Sequence, residues 1–339
     1  MKLYSNEIVF RGHPDKVCDQ ISDAILDACM AQDPDSRCGI ETVGGKGKVF
    51  ITGEVTTKAK IDPAAIARRV LKDIGYRADY EIIDNLGKQS PEIALGTNDE
   101  VGGAGDNGMM FGYACNDTPQ ALPVAMVILQ ELSRAYDELR KNDQRFLPDG
   151  KAQITGIYDD AFRLKRIKTF TLCYQNTEKE REATDRILMD LCIAIASKYK
   201  IEIEQFLINP TGRFEIGGFE VDAGLTGRKI VVDSYQSFAA VGGGAFSGKD
   251  PSKVDRSGAY KAREIAKNCL KKYGLRWCEV QLSYAIGKAE PLAIYIDSDK
   301  GTIDPPESLY TECSVKNIIN DLKLKEEKFE LRAQFGHFQ

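Results

Sequence analysis

Two apolar rhythms alternate along almost the whole chain, and that alternation restricts it to folds in which helices cover sheets. Between Asp15 and Gln32, Val17, Ile21, Ile25, Leu26 and Cys29 recur at helical spacing, with Pro14 at a permitted helix start. Lys48 to Thr56 (KVFITGEVT) reads as a strand, and Pro63 to Gly75 as a second amphipathic helix stopped by glycine. A helix follows over Pro119 to Asn142, then strands over Gln153 to Tyr158 and Ile167 to Tyr174 and a helix over Thr184 to Tyr199. The last third repeats the theme: a strand over Lys229 to Asp233, a helix from about Ser257 to Tyr273, and strands near Glu279 to Ile286 and Ala293 to Ile296. Three successive blocks predict an α/β (α+β) fold of three similar β/α modules, at 1–95, 103–211 and 212–339. Residues 87 to 108 form a glycine- and polar-rich connection too long for a plain linker, the usual makeup of a lid.

With 339 residues, 42% hydrophobic and 29% charged, the chain can bury a substantial core. A net charge of −5 gives no global electrostatic support for a nucleic-acid partner or an anionic membrane surface. No apolar run reaches membrane-spanning length, and Met1 to Glu7 lacks the apolar core of a signal peptide. Nine cysteines, without a C-x-x-C pair, argue against a disulfide framework or a zinc site, so a cytoplasmic location is expected.

Against this acidic background, Gly242 to Arg256 (GGGAFSGKDPSKVDR) gathers glycines, three cations and two carboxylates. Glycines let backbone N–H groups approach phosphate oxygens, cations neutralise them, and Asp250 or Asp255 is suited to a hard metal ion or a substrate ammonium. Gly243 to Lys249 also satisfies G-x-x-x-x-G-K, but Asp250 stands where a P-loop needs a hydroxyl. Gly103 to Gly108 matches G-x-G-x-x-G without a clear strand before it, which disfavours a dinucleotide fold.

Further strings accompany this run in order: Gly12-His13-Pro14-Asp15-Lys16, Gly87-Lys88-Gln89-Ser90-Pro91, Gly103-Ala104-Gly105-Asp106, Pro148-Asp149-Gly150-Lys151, Asn209-Pro210-Thr211-Gly212-Arg213-Phe214 and Asp222-Ala223-Gly224-Leu225-Thr226-Gly227-Arg228-Lys229. Together they resemble the S-adenosylmethionine synthetases (methionine adenosyltransferases), from Glu7 to His337 and most densely over residues 208 to 257.

The resemblance implies a transferase in which methionine sulfur attacks C5′ of ATP and the bound tripolyphosphate is then hydrolysed to phosphate and diphosphate. A thioether is already a neutral nucleophile and needs no general base, so a chain with two histidines, His13 and His337, is not short of catalysts. The chemical difficulty is the departing triphosphate, whose charge must meet cations and metals. The family pattern places His13 at the bond being broken, with Lys151, Arg228, Lys249 and Asp106 also in catalytic roles. Asp149, Lys151, Arg213, Phe214, Asp222, Arg228, Lys229, Ala245 and Lys249 fall on its ATP-binding positions, Phe214 stacking on the adenine. Glu54, Gln89, Asp222 and Lys253 fall on methionine positions. Asp15 and Asp255 match Mg²⁺ carboxylates, two ions per site, and Glu41 a K⁺ ligand. A pseudo-threefold fold, a homodimer with shared active sites that can pair into a tetramer, and a mobile loop over 89–99 are implied as well.

The chain departs from the family pattern at Arg11, where Glu is usual and where a charge near the phosphates would be reversed. It also departs at Asn107, Leu147, Ala152, Phe219-Glu220-Val221 and Val241. Two competing readings follow. A non-catalytic homologue would have lost His13, Asp15 or the phosphate cations, and a P-loop-like NTPase would hydrolyse ATP without methionine.

Overall fold

The computed structural model describes residues 1–77, 79–88, 102–177 and 181–339. At its centre lies α1 (Pro14–Met30), buried at every residue from Pro14 to Leu26. His13 caps it, its Nδ1 accepting the Asp15 N–H at 3.2 Å, and Pro14 occupies a first-turn position that needs no N–H partner. The second helix, α2 (Pro63–Ile74), is bounded as its sequence predicts. The Asp62 side chain accepts the Ala65 N–H at 2.9 Å, and Gly75 closes the helix at φ 97°.

Among the described residues the strands form three sheets. The first has the order β1 (Lys2–Val9), β6 (Phe146–Tyr158), β7 (Leu164–Asn176), β8 (Phe206–Ile208). The second runs β4 (Glu81–Gly87), β3 (Lys48–Thr56), β2 (Arg37–Gly45), β9 (Gly224–Leu225). The third is β11 (Ala293–Ser298), β10 (Trp277–Tyr284), β5 (Gly108–Cys115). Each sheet draws its strands from two of the three sequence segments 1–95, 103–211 and 212–339. β1 joins strands of the central segment, β5 those of the last, and β9 those of the first.

Each sheet packs one face on helices. Beneath the first sheet, Ile8, Ile154, Phe170 and Leu172 meet α3 (Val124–Asn142) and α4 (Arg181–Lys198). A second, continuous core joins the other two sheets to α1, α2 and α6 (Val254–Tyr273) through Ile21, Ile25, Ile51, Leu71, Ala262 and Val280. Short helices α7 (Ser308–Glu312), α8 (Val315–Asp321) and α9 (Phe329–Ala333) close the last segment.

The second sheet positions the site. In β2, Cys38, Ile40, Thr42 and Gly44 are buried, which turns Glu41 and Val43 outward. In β3, Val49 and Ile51 are buried, and the register sets Glu54 opposite Gly39, Thr52 opposite Glu41 and Phe50 opposite Val43. Glu41 and Glu54 therefore share the outer face with exposed Val43, Phe50 and Ile83.

Two sequence expectations are corrected here. Residues 229–233 do not form a strand: Ile230–Asp233 is a single helical turn, α5, with Ser234 N–H donating to the Ile230 carbonyl at 3.1 Å. The β-branched run favours a strand locally, but Lys16 reaches Asp233 at 2.5 Å from α1 and tertiary contact wins. The third helix starts at Val124 instead of Pro119. Ala121 adopts φ 57°, and Thr118 accepts the Leu122 N–H at 3.2 Å, forming a turn ahead of Pro123.

Candidate active site

The run 242–256 is a loop wrapped around the N-terminus of α6. Gly243 to Lys249 does not lead directly into a helix as a P-loop does, since α6 begins only at Val254. Asp250, which breaks the P-loop pattern, is a buried organiser. Its Oδ2 accepts the Cys38 N–H at 2.8 Å and Lys253 Nζ at 2.9 Å, and its Oδ1 accepts the Ser252 N–H at 2.9 Å. Burial alone would raise its pKa, but Lys253 and these donors hold it below the ordinary carboxylate value. The other G-x-G-x-x-G string precedes β5, not a helix, and Asn107 there accepts the Ile286 N–H at 2.9 Å.

Lys249 bridges to Gly39 in β2, which carries the loop to the outer face of the second sheet. There Lys249 and Asp255 form an ion pair at 2.5 Å. They line a cleft of about 570 Å³ with Glu41, Asp106, Thr226 and Ala245. An adjoining hollow of about 520 Å³ shares Glu41, Asp106, Lys249 and Asp255 and adds Glu54, Lys88 and Lys253. Seven expected residues from distant parts of the chain, Glu41, Glu54, Asp106, Ala245, Lys249, Lys253 and Asp255, thus converge. Gln89 and the loop 89–99 lie outside the described residues.

A second cluster gathers at the N-terminus of α1. Asp15 is buried; its Oδ1 accepts the Leu225 N–H at 3.0 Å and lies 3.5 Å from Arg228 Nε, while its Oδ2 pairs with Lys229. His13 is lowered to about 4, first by burial and then by Lys229, against the opposing pull of Asp15; Lys151 and Asp222 also act on it. It is neutral near pH 7 with Nδ1 as acceptor, which leaves the proton on Nε2. Lys151 pairs with Glu7 at 3.2 Å. Asp149, buried two residues earlier in β6, accepts the Gly218 N–H at 2.8 Å. Gln175 links Asp149 to the Arg213-Phe214-Glu215 segment by accepting the Asp149 N–H at 3.3 Å and donating to the Glu215 carbonyl at 3.0 Å. Arg213 pairs with Glu215 at 2.9 Å, and Phe214 is half-buried.

The two clusters adjoin where Gly227 meets Ala245, yet His13, Asp15, Lys151 and Lys229 do not line the cleft that holds Lys249 and Asp255. Arg11, expected near the phosphate region, is held by other partners. Its Nε donates to Gln20 at 2.8 Å and its Nη1 lies 3.5 Å from Asp137, between α1 and α3.

Three positions, Asp19, Asp23 and Asp27, went unrecognised in the sequence, although their signal, a four-residue spacing that starts at Asp15, is present there. Asp15, Asp19, Asp23 and Asp27 recur every fourth residue on α1, and each receives backbone N–H groups from a segment more than 200 residues away, Asp15 and Asp19 from the same loop. Asp19 accepts from Gly227 at 2.9 Å, Asp23 from Gly248 at 2.8 Å, and Asp27 from Phe329 and Glu330, both at 3.0 Å. One helix face thereby anchors both loops of the site and the C-terminal segment.

Asp15 and Asp255 each offer a carboxylate, and among the described residues no group of three or more His, Cys, Asp or Glu converges as a protein-only metal cage. That donor set fits Mg²⁺, which takes one or two carboxylates and completes its shell with phosphate oxygens and water. Glu41, an exposed carboxylate at the cleft, is an oxygen donor of the kind K⁺ accepts.

Comparison with known proteins covers nearly the whole chain. Residues 1–91 match the family model described as S-adenosylmethionine synthetase, N-terminal domain; residues 101–214 match the central-domain model and residues 216–339 the C-terminal-domain model. The chain is similar to the S-adenosylmethionine synthase of Synechococcus sp. (strain CC9605), with 45% identity over 331 residues, 87% of this chain and 80% of that relative.

Proposed function

The chain belongs to the S-adenosylmethionine synthetase family, and from that premise we propose that its two charged clusters serve one reaction, transfer of the adenosyl group of ATP to methionine sulfur. As a methionine adenosyltransferase it takes ATP and L-methionine as substrates. The observation that carries the residue-level reading is the convergence of Lys249 and Asp255 with Glu41 and Asp106 on one cleft.

In this reading Glu54, Lys253 and Gln89 hold the methionine zwitterion, and Asp106 orients its sulfur towards C5′. His13, Lys151, Arg228, Lys229 and Lys249 gather the triphosphate. The Nε2–H of neutral His13 is free to donate to the departing oxygen, so charge that develops there meets a preorganised donor. Asp149, Asp222, Arg213 and Phe214 bind the nucleoside, with backbone at Ala245 near the phosphates. Mg²⁺ held by Asp15 and Asp255 would neutralise the triphosphate as it leaves, and K⁺ at Glu41 would tune the rate. The same cations would then retain the tripolyphosphate for hydrolysis to phosphate and diphosphate.

This scheme calls for a homodimer. The two clusters of one chain do not share a cleft, and Glu41 and Glu54 stand on a sheet face that also exposes Val43, Phe50 and Ile83. A complete site would combine the Lys249 cluster of one subunit with the His13 cluster of its partner, and dimers would pair into tetramers where a further surface permits. Nine free cysteines favour a reducing cytoplasm. No helix among the described residues is long and apolar enough to cross a membrane.

The test is a steady-state assay with ATP, methionine, Mg²⁺ and K⁺, following S-adenosylmethionine, phosphate and diphosphate together. All three should form, and only when methionine is present. ATP hydrolysis without methionine would favour the NTPase reading, and no product from folded protein would favour the non-catalytic one.

A further inference from the structure

The ion pair of Asp23 and Arg256 is assigned no substrate above, yet it grips the glycine-rich run at two points. Asp23 accepts the Gly248 N–H at 2.8 Å and pairs with Arg256 Nη2. Arg256 donates its Nε to the Phe246 carbonyl at 2.9 Å, and its guanidinium lies 4.2 Å from the centre of the Phe329 ring. Both side chains are 0% exposed. The Ile40 N–H holds the Gly248 carbonyl at 3.0 Å, and Gly248 has φ 82° with the Ile40 oxygen 1.9 Å from any added Cβ, so the loop has no slack here.

Apolar residues of similar volume would stabilise such a site as well as a buried ion pair does, so stability alone does not account for these charges. Their neighbours in the chain do. Gly248 immediately precedes Lys249, and Arg256 immediately follows Asp255. We propose that Asp23 and Arg256 are positioning residues for the polyphosphate end of the site, fixing through the Gly248 N–H and the Phe246 carbonyl where Lys249 and Asp255 stand. The proposal rests on the reading of Lys249 as a phosphate-binding residue.

A double-mutant cycle on the full chain tests it, with inorganic tripolyphosphate as the titrant in calorimetry. Asp23→Asn weakens binding about tenfold when Lys249 is present and less than about threefold when Lys249 is already alanine, because positions linked through one backbone segment couple while independent ones add. Methionine KM stays within about threefold in Asp23→Asn, a split that general loosening of the fold would not give. Equal losses in both backgrounds, or unweakened binding by folded Asp23→Asn, overturn the proposal. Should Asp23→Asn not fold, Arg256→Lys, which keeps the charge and shortens the reach to Phe246, is run through the same cycle with the same criteria. If neither variant folds, the pair belongs to the core and the proposal is overturned. Wild-type binding by Lys249→Ala would remove the premise instead, an outcome the Asp23 variant alone cannot produce.

Discussion

Gly244 and Asp255 stand so close that a Cβ built on the glycine falls 2.0 Å from the Asp255 Oδ1 and 2.2 Å from its Cγ. Gly244 is not in the left-handed region, so its φ suits alanine, but the added Cβ would also stand 2.7 Å from the Asp255 Cβ, so the aspartate must turn away and the loop must give locally. Gly244→Ala is expected to fold normally and lose about a hundredfold in kcat, ~2.7 kcal/mol, with the Mg²⁺ midpoint displaced upward. Activity against Mg²⁺ concentration checks this, and an unchanged midpoint would detach Asp255 from the metal.

Arg11, the main charge reversal against the family pattern, sits between Gln20 and Asp137. Arg11→Glu would set two carboxylates together in a buried place, with an expected loss of about 3–5 kcal/mol in denaturant unfolding. ATP KM of the folded fraction should not move. A raised KM with unchanged stability would instead put Arg11 in the site.

Phe50 lies opposite Val43 on the outer face that carries Glu41 and Glu54. If the proposed homodimer forms through this face, Phe50→Glu should dissociate it in sedimentation and abolish activity in parallel, since each shared site would lose its second half. An active monomer would refute site sharing.

Asp149 is raised to about 6, by burial first, with the Gly218 and Gly150 N–H groups pulling it back. Its folded pKa exceeds the unfolded value near 3.8, so the folded state binds the extra proton between these pH values. The contribution to stability is therefore full below about pH 4 and is lost as pH rises through 6. A two-unit shift corresponds to roughly 2–3 kcal/mol. Asp149→Asn should flatten the fall in urea midpoint from pH 4 to 7 relative to wild type, and an identical slope would contradict this origin.

Legibility in the sequence followed the range of the determining interaction. The bounds of α2 are written in Asp62 and Gly75, both adjacent to the helix, and β3 in its own alternation. The turn at Ile230–Asp233 depends on Lys16, 217 residues away, and no local pattern contains it. In the site, period two puts Glu41 and Val43 on one face, but only the pairing of β2 with β3 brings Glu54 beside Glu41. The acidic period of α1 is plain in the sequence; its burial is not, because an Asp at every fourth position ordinarily marks a solvated face.

The exchange of β1, β5 and β9 among the sheets has a consequence for synthesis and for engineering. As the chain leaves the ribosome, β1 must wait for β6, the β2–β3–β4 sheet stays without its edge until β9, and β5 has no neighbour until β10. Among the described residues no third of the polypeptide completes a sheet of its own, so the fold closes late and as a unit, with long-range pairing throughout. Excising any one segment would strip a strand from a sheet it leaves behind, and fragments expressed separately would need one another to recover their edges.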